Sequence, residues 1–152
     1  MNEKFMNRAI ALAKEAASEG EIPVGAVVVL NGEIIGEGKN ACERLHDATA
    51  HAEILAIKQA AERLNDWRLG GCSLYVTLEP CPMCAGAIIN SRISEVVFGA
   101  FDKRAGSCCN DSVINLFSCG YDSRVEVFGG IREEECKELL SSFFKNRRSD
   151  IM

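Results

Sequence analysis

Ser73-Leu74-Tyr75-Val76-Thr77-Leu78-Glu79-Pro80-Cys81-Pro82-Met83-Cys84 carries the chain from an apolar, β-rich run into a paired cysteine bracketed by prolines. Leu69-Gly70-Gly71 breaks the chain ahead of it, so 73–78 reads as a strand. Pro82 suits the first turn of a helix, where its missing N–H would have had no intrahelical partner, and residues 82–91 read as that helix. Cys81 and Cys84 then stand one turn apart at its start, close enough for both sulfurs to reach one ion.

The neighbouring segments repeat this alternation of strand and helix. Upstream, Phe5, Ile10, Leu12 and Ala16 sit near helical spacing, and Gly20 ends that segment. Val24–Leu30 and Glu33–Gly38 are strands joined at Asn31-Gly32, a strong hairpin signal. Residues 40–48 read as a loop, and a helix is predicted from Thr49 as N-cap to about Leu64. Downstream come a strand at 95–98, a loop at 99–111, a short helix at 112–117, a strand at 125–128 and a last helix at roughly 132–147. The expected fold is a three-layer α/β/α domain with a mixed five-stranded sheet covered on both faces, spanning 1–152 as one domain.

Composition limits the function classes. Of 152 residues, 47% are hydrophobic and 26% charged, which disfavours disorder and collagen-like structure. The net charge of −5 opposes strong nonspecific attraction to nucleic acid, while leaving room for a local basic site. Cys42, Cys72, Cys81, Cys84, Cys108, Cys109, Cys119 and Cys136 are too sparse for a disulfide scaffold. Residues 1–15 lack the apolar core of a signal peptide, and no apolar run reaches about 18 residues. A reduced, cytoplasmic protein without a membrane span is expected.

His51-Ala52-Glu53 opens the helix before the cysteine-bearing strand. When helices follow parallel strands, their starts face the carboxyl edge of the sheet, so His51 and the Cys81/Cys84 pair converge on one crevice. One imidazole and two thiolates suit Zn²⁺ and leave a fourth position for water, whose pKa an open zinc site brings towards about 7. Glu53, two residues after His51, need not share the ligand's direction and can serve as base and then acid. That chemistry suits hydrolytic deamination of a nucleobase, and His-x-Glu with Pro-Cys-x-x-Cys is the zinc-deaminase signature. Blander readings exist for the parts. The cysteine pair could be a redox dithiol, or half of a structural zinc site with His46 or Cys109 as fourth ligand; His51 alone could be a core histidine and Glu53 a first-turn acid.

Beyond the metal motif, the chain resembles the bacterial tRNA-specific adenosine deaminases of the cytidine deaminase-like fold. The resemblance runs through Glu21–Val27, Gly36–Asn40, Thr49–Ile54, Leu74–Ile88, Ser91–Ile93, Val96–Ala100 and Phe143–Arg148. It implies one catalytic zinc on His51, Cys81 and Cys84, proton transfer by Glu53, and conversion of a wobble adenosine to inosine. It also implies that Asn40 hydrogen-bonds the flipped base, that Asp102 lies near flanking nucleotides, and that the end helix binds the anticodon stem-loop. For that contact Phe144, Lys145, Arg147 and Arg148 are the candidates, with Lys39, Lys103 and Arg104 extending a positive rim. A homodimer is implied as well, with no membrane or DNA partner. On chemistry alone Asn40 could instead cap a turn, Asp102 could be a solvated loop acid, and Ile88, Ile89 and Ile93 could be either interface or core.

The chain departs from the family pattern at Ala48, at Phe101 and through Gly106–Ser112. These positions bear on substrate rather than on zinc chemistry. A free guanine, cytosine or nucleoside deaminase would share the metal core, and a noncatalytic zinc-stabilised RNA-binding module is the alternative of a different class.

Overall fold

The computed structural model describes residues 2–118 and 124–151. Cys119 lies outside the described residues. The elements in chain order are α1 (Glu3–Ser18), β1 (Gly25–Leu30), β2 (Glu33–Lys39), α2 (Cys42–Leu45), α3 (Ala52–Leu64), β3 (Ser73–Leu78), α4 (Pro82–Asn90), β4 (Glu95–Ala100), β5 (Glu126–Phe128) and α5 (Glu133–Ile151).

The strands form one sheet in the order β2-β1-β3-β4-β5. β1 pairs antiparallel with both β2 and β3, whereas β3–β4 and β4–β5 are parallel. The mixed sheet is therefore as expected. Asn31 and Gly32 both have positive φ, the geometry of a type I′ turn whose twist matches the strands it joins.

Because successive strand side chains point to opposite faces, the apolar run of each central strand feeds two cores. Ala26, Val28, Leu74, Val76, Val96 and Phe98 face α3 and α4, meeting Ala52, Ala56, Ala60 and Ile88. Val27, Val29, Tyr75 and Val97 face the other way, against Phe5, Met6, Ala9 and Ile10 of α1 and Cys136 of α5. Ile88, Ile89 and Ile93 are all buried within the chain, which settles them as core.

Three local expectations are corrected. Residues 40–48 contain the short helix α2, and the N-cap of α3 is His51 rather than Thr49. Thr49 instead hydrogen-bonds Asp47 through both its amide and its hydroxyl. Residues 112–117 form turns, not a helix.

The approach of α3 to the sheet sets up the site. A Cβ on Gly36 or Gly38 would collide with the backbone of α3 at Ala56 and Ala52 respectively. These two glycines, opposite the buried Ala52, Ala56 and Ala60, let α3 lie directly on β2 and hold its first turn at the carboxyl end of that strand.

Candidate metal centre

Two helix starts meet at the carboxyl ends of β2 and β3. His51 is the N-cap residue of α3 and Cys81 that of α4, each in extended backbone with no side-chain cap of its own. Both side chains are thus available to point into the crevice. Cys81 Sγ lies 3.6 Å and Cys84 Sγ 3.5 Å from His51 Nδ1. Tetrahedral zinc with ordinary bond lengths separates a nitrogen and a sulfur ligand by about 3.6 Å, so the donor set fits the ion. The three ligand atoms lie within 4.8 Å of one another. Among the described residues no fourth His, Cys, Asp or Glu joins the cluster, and His46 and Cys109 do not belong to it.

The protein groups alone already polarise this cluster. Hydrogen bonding from Cys84, with help from His51, holds the Cys81 thiol down to about 4. The bond to Cys81 and burial push Cys84 the other way, so one thiol of the pair ionises first and the other gives up its proton on metal binding. The hydrogen bond to Cys81 raises His51 above its ordinary value.

Glu53 is the second residue of α3, only 4% exposed. Burial raises its carboxyl to about 7, against the pull of its own backbone amide and of His51. A carboxyl poised there can both accept and return a proton near neutrality.

A cavity of about 470 Å³ opens beside the cluster, bordered by Asn40, His51, Glu53, Cys81, Phe101, Asp102 and Phe144. Asn40 Oδ1 accepts a hydrogen bond from Ala52 N at 2.9 Å, which supplies the cap that His51 does not. Its oxygen is therefore committed to the helix, and its amide nitrogen is the group left to address a ligand. Asp102 Oδ1 accepts from the amides of Arg104 and Ala105, shaping the loop on the opposite wall. Phe144 is 45% exposed at the rim, while Phe143 stacks edge-on against it and under Arg147.

The basic residues of α5 separate into different roles. Arg147 and Arg148 line a groove of about 580 Å³ that shares Asn40, His51 and Phe144 with the metal cavity. Arg147 also donates to Gly20 O at 3.3 Å, tying α5 to the end of α1. Lys145 is exposed and lines neither space. Of the proposed rim, Lys103 and Arg104 border the cavity, whereas Lys39 pairs with Glu19.

Two buried acids received no role from sequence reasoning. Glu21 accepts the amides of Glu43 and Arg44 and so anchors α2. Glu79 accepts from the amides of Asp102 and Cys108 and the hydroxyl of Ser112. Their only sequence signal is an acid beside an apolar run, which is common at strand ends and specifies no partner.

Comparison with known proteins agrees with this geometry. Residues 1–100 match the family of the cytidine and deoxycytidylate deaminase zinc-binding region. The tRNA-specific adenosine deaminase of Bacillus subtilis is 49% identical over 148 residues, covering 97% of this chain and 91% of its own. A structure solved in a study of A-to-I editing by tRNA:A34 deaminases superposes with a TM-score of 0.88 at 41% identity, covering 91% of this chain and all of the other. The guanine deaminase of Bacillus subtilis is 46% identical but matches only 66% of each chain, with a TM-score of 0.64. The family match over residues 1–100, the structural superposition and near full-length similarity place this chain in the cytidine and deoxycytidylate deaminase zinc-binding family, among its tRNA-specific adenosine deaminases.

Proposed function

We propose that this chain hydrolyses the wobble adenosine of a tRNA anticodon loop to inosine and ammonia. The observation that carries the reading is the pairing of a three-ligand His/Cys/Cys cluster with the buried Glu53 carboxyl beside an open cavity.

His51, Cys81 and Cys84 would hold the zinc ion. Zinc bound there would supply Lewis acidity, lowering the pKa of water at the site towards about 7. Glu53 takes one proton from the incoming water, whose hydroxyl adds to C6, and delivers that proton to the ring nitrogen next to C6. It then transfers the second proton to the exocyclic amine, so that ammonia leaves and the C6 carbonyl forms. Water and adenosine are consumed, and inosine and ammonia are released. Asn40, through its side-chain amide, orients the base, and the cavity walls exclude bulk water from it. An anticodon loop can present such a base without opening a duplex.

Near full-length similarity to tRNA deaminases and the aromatic–basic end of α5 support RNA over a free base. The guanine-deaminase reading is kept as second because that similarity either spans only two thirds of the chain or, where it spans 93%, falls to 25–26% identity. Zinc-loaded protein is to be assayed on an adenosine-containing anticodon stem-loop, on guanine and on cytidine. Inosine in the stem-loop is expected; ammonia from guanine alone would overturn the assignment. Binding of the stem-loop without any inosine would favour the noncatalytic RNA-binding module.

Membership of the same family supports a wider reading. The chain acts as one deaminase domain over 1–152 and works as a homodimer, for which the exposed Met83 on α4 offers apolar surface. Sedimentation at assay concentration is expected to give twice the chain mass. A cytoplasmic setting completes this reading; no helix among the described residues is long and apolar enough to cross a membrane.

A further inference from the structure

Glu79 is a buried acid that the deamination chemistry does not use. Oε1 accepts from Asp102 N at 3.0 Å, and Oε2 accepts from Cys108 N at 3.0 Å and from Ser112 Oγ. All three donors belong to the loop after β4, and Glu79 itself directly precedes Pro80-Cys81. The next residue repeats the connection: Pro80 O accepts from Ser107 N at 3.2 Å and from Ser107 Oγ at 3.0 Å. Gly106 faces the same carboxylate so closely that a Cβ there would strike both Glu79 and the Asp102 carbonyl. A carboxylate with three donors from one loop, on the strand end that carries a metal ligand, is a latch between the zinc centre and one wall of the cavity.

We infer that Glu79 is a positioning residue which, acting through residues 102–112, sets the shape of the RNA-contacting wall and thereby substrate affinity, leaving the chemical step to Glu53. The inference rests on the proposed tRNA reading for its substrate. Asp102, Lys103 and Arg104 border the cavity and follow from the latched segment, so their placement is what the carboxylate controls. A glutamine at position 79 keeps the volume but presents an N–H₂ group towards one set of donors.

The test uses zinc-loaded full-length protein and an adenosine-containing anticodon stem-loop. Glu79→Gln is expected to keep its zinc and its kcat within about threefold while raising KM about tenfold or more, the size of losing a charge-assisted hydrogen bond. Ser112→Ala is expected to raise KM less, and to add less in the Glu79→Gln background than alone, since both act on one carboxylate's set of donors. Gly106→Ala, which crowds the carboxylate from the loop side, should reproduce the KM effect; it and Ser112→Ala carry the test if the Glu79 variant does not fold. Amide exchange reads the latch independently of turnover: Asp102 and Cys108 should lose protection in Glu79→Gln. If wild-type protein makes no inosine, the functional reading has failed and the exchange result alone judges the latch. An unchanged KM with zinc retained, a fall confined to kcat, additive KM effects or unchanged exchange would each overturn the inference.

Discussion

At the scale of single residues, Asn40 shows how one side chain can hold two duties apart. Its oxygen caps α3 through Ala52 N, and only its amide nitrogen is left to face a base. Asn40→Asp keeps the acceptor and removes the donor, whereas Asn40→Ala removes both. The aspartate variant is expected to unfold within about 0.5 kcal/mol of wild type but to lose stem-loop deamination; the alanine variant should also lose about 1 kcal/mol, the usual value of a cap. Denaturant titration and an inosine assay on both proteins separate the roles, and recovery of full activity by aspartate would leave Asn40 with the cap alone. Glu53 invites a simpler comparison. It lies outside the group of three ligands, so Glu53→Ala should retain one zinc per chain while turnover falls by about 10²–10⁴, the range for a positioned acid–base group. Metal analysis beside the rate measurement checks this, and loss of zinc would make Glu53 a ligand.

At the scale of elements, local pattern determined most of the fold, and the misses occur where a distant group decides. The hairpin, the metal-bearing strand–helix junction and the five strands all have short-range signals in turn residues and alternation. The helix α2 has none, because its four residues are held by the Glu21 carboxylate from another loop. Residues 112–117 carry apolar spacing that reads as helix, but the amides of Ile114 and Leu116 are taken by Gly106 and Ser107, and the Ser112 hydroxyl by Glu79. The reason for Gly36 and Gly38 was equally hidden, since it depends on α3 lying against β2. Gly38→Ala forces a Cβ into the backbone of α3 at Ala52; overpacking of about 1–3 kcal/mol should lower Tm by several degrees in thermal unfolding. The contact between α1 and β2 has a pH signature. Arg8 Nε and Nη2 donate to Glu37 at 2.5 and 3.0 Å, and this pairing holds the Glu37 carboxyl below its ordinary 4.5. The folded chain therefore binds that proton later than the unfolded chain, so the pair stabilises above about pH 4.5 and its contribution disappears as pH falls through the lower folded value. With the pair partly solvated, Glu37→Gln should cost no more than about 1 kcal/mol at pH 7 and progressively less as pH falls below about 4.5, as read from urea midpoints across that range.

Across the whole molecule, the metal centre was legible because its ligands are rare residue types at telling spacings, brought together by a topology that places the ends of β2 and β3 on one edge. The RNA surface was less so. A chain with a net charge of −5 must concentrate its attraction for phosphate, and spacing alone could not say which basic residues of α5 serve that purpose. The structure divides them. Arg147 stacks over Phe143 and donates to Gly20 O, so part of its role is to seat α5 against the end of α1. Arg148 lines the groove continuous with the metal cavity, where a phosphate of a bound loop would pass. Arg148→Ala should accordingly weaken stem-loop binding, reduce the slope of log affinity against log salt by about one, and leave Tm unchanged. Arg147→Ala should lower Tm as well as affinity. Binding isotherms at several salt concentrations, run beside thermal unfolding of the same preparations, distinguish the two, and an unaltered salt slope for Arg148→Ala would remove that residue from the RNA contact.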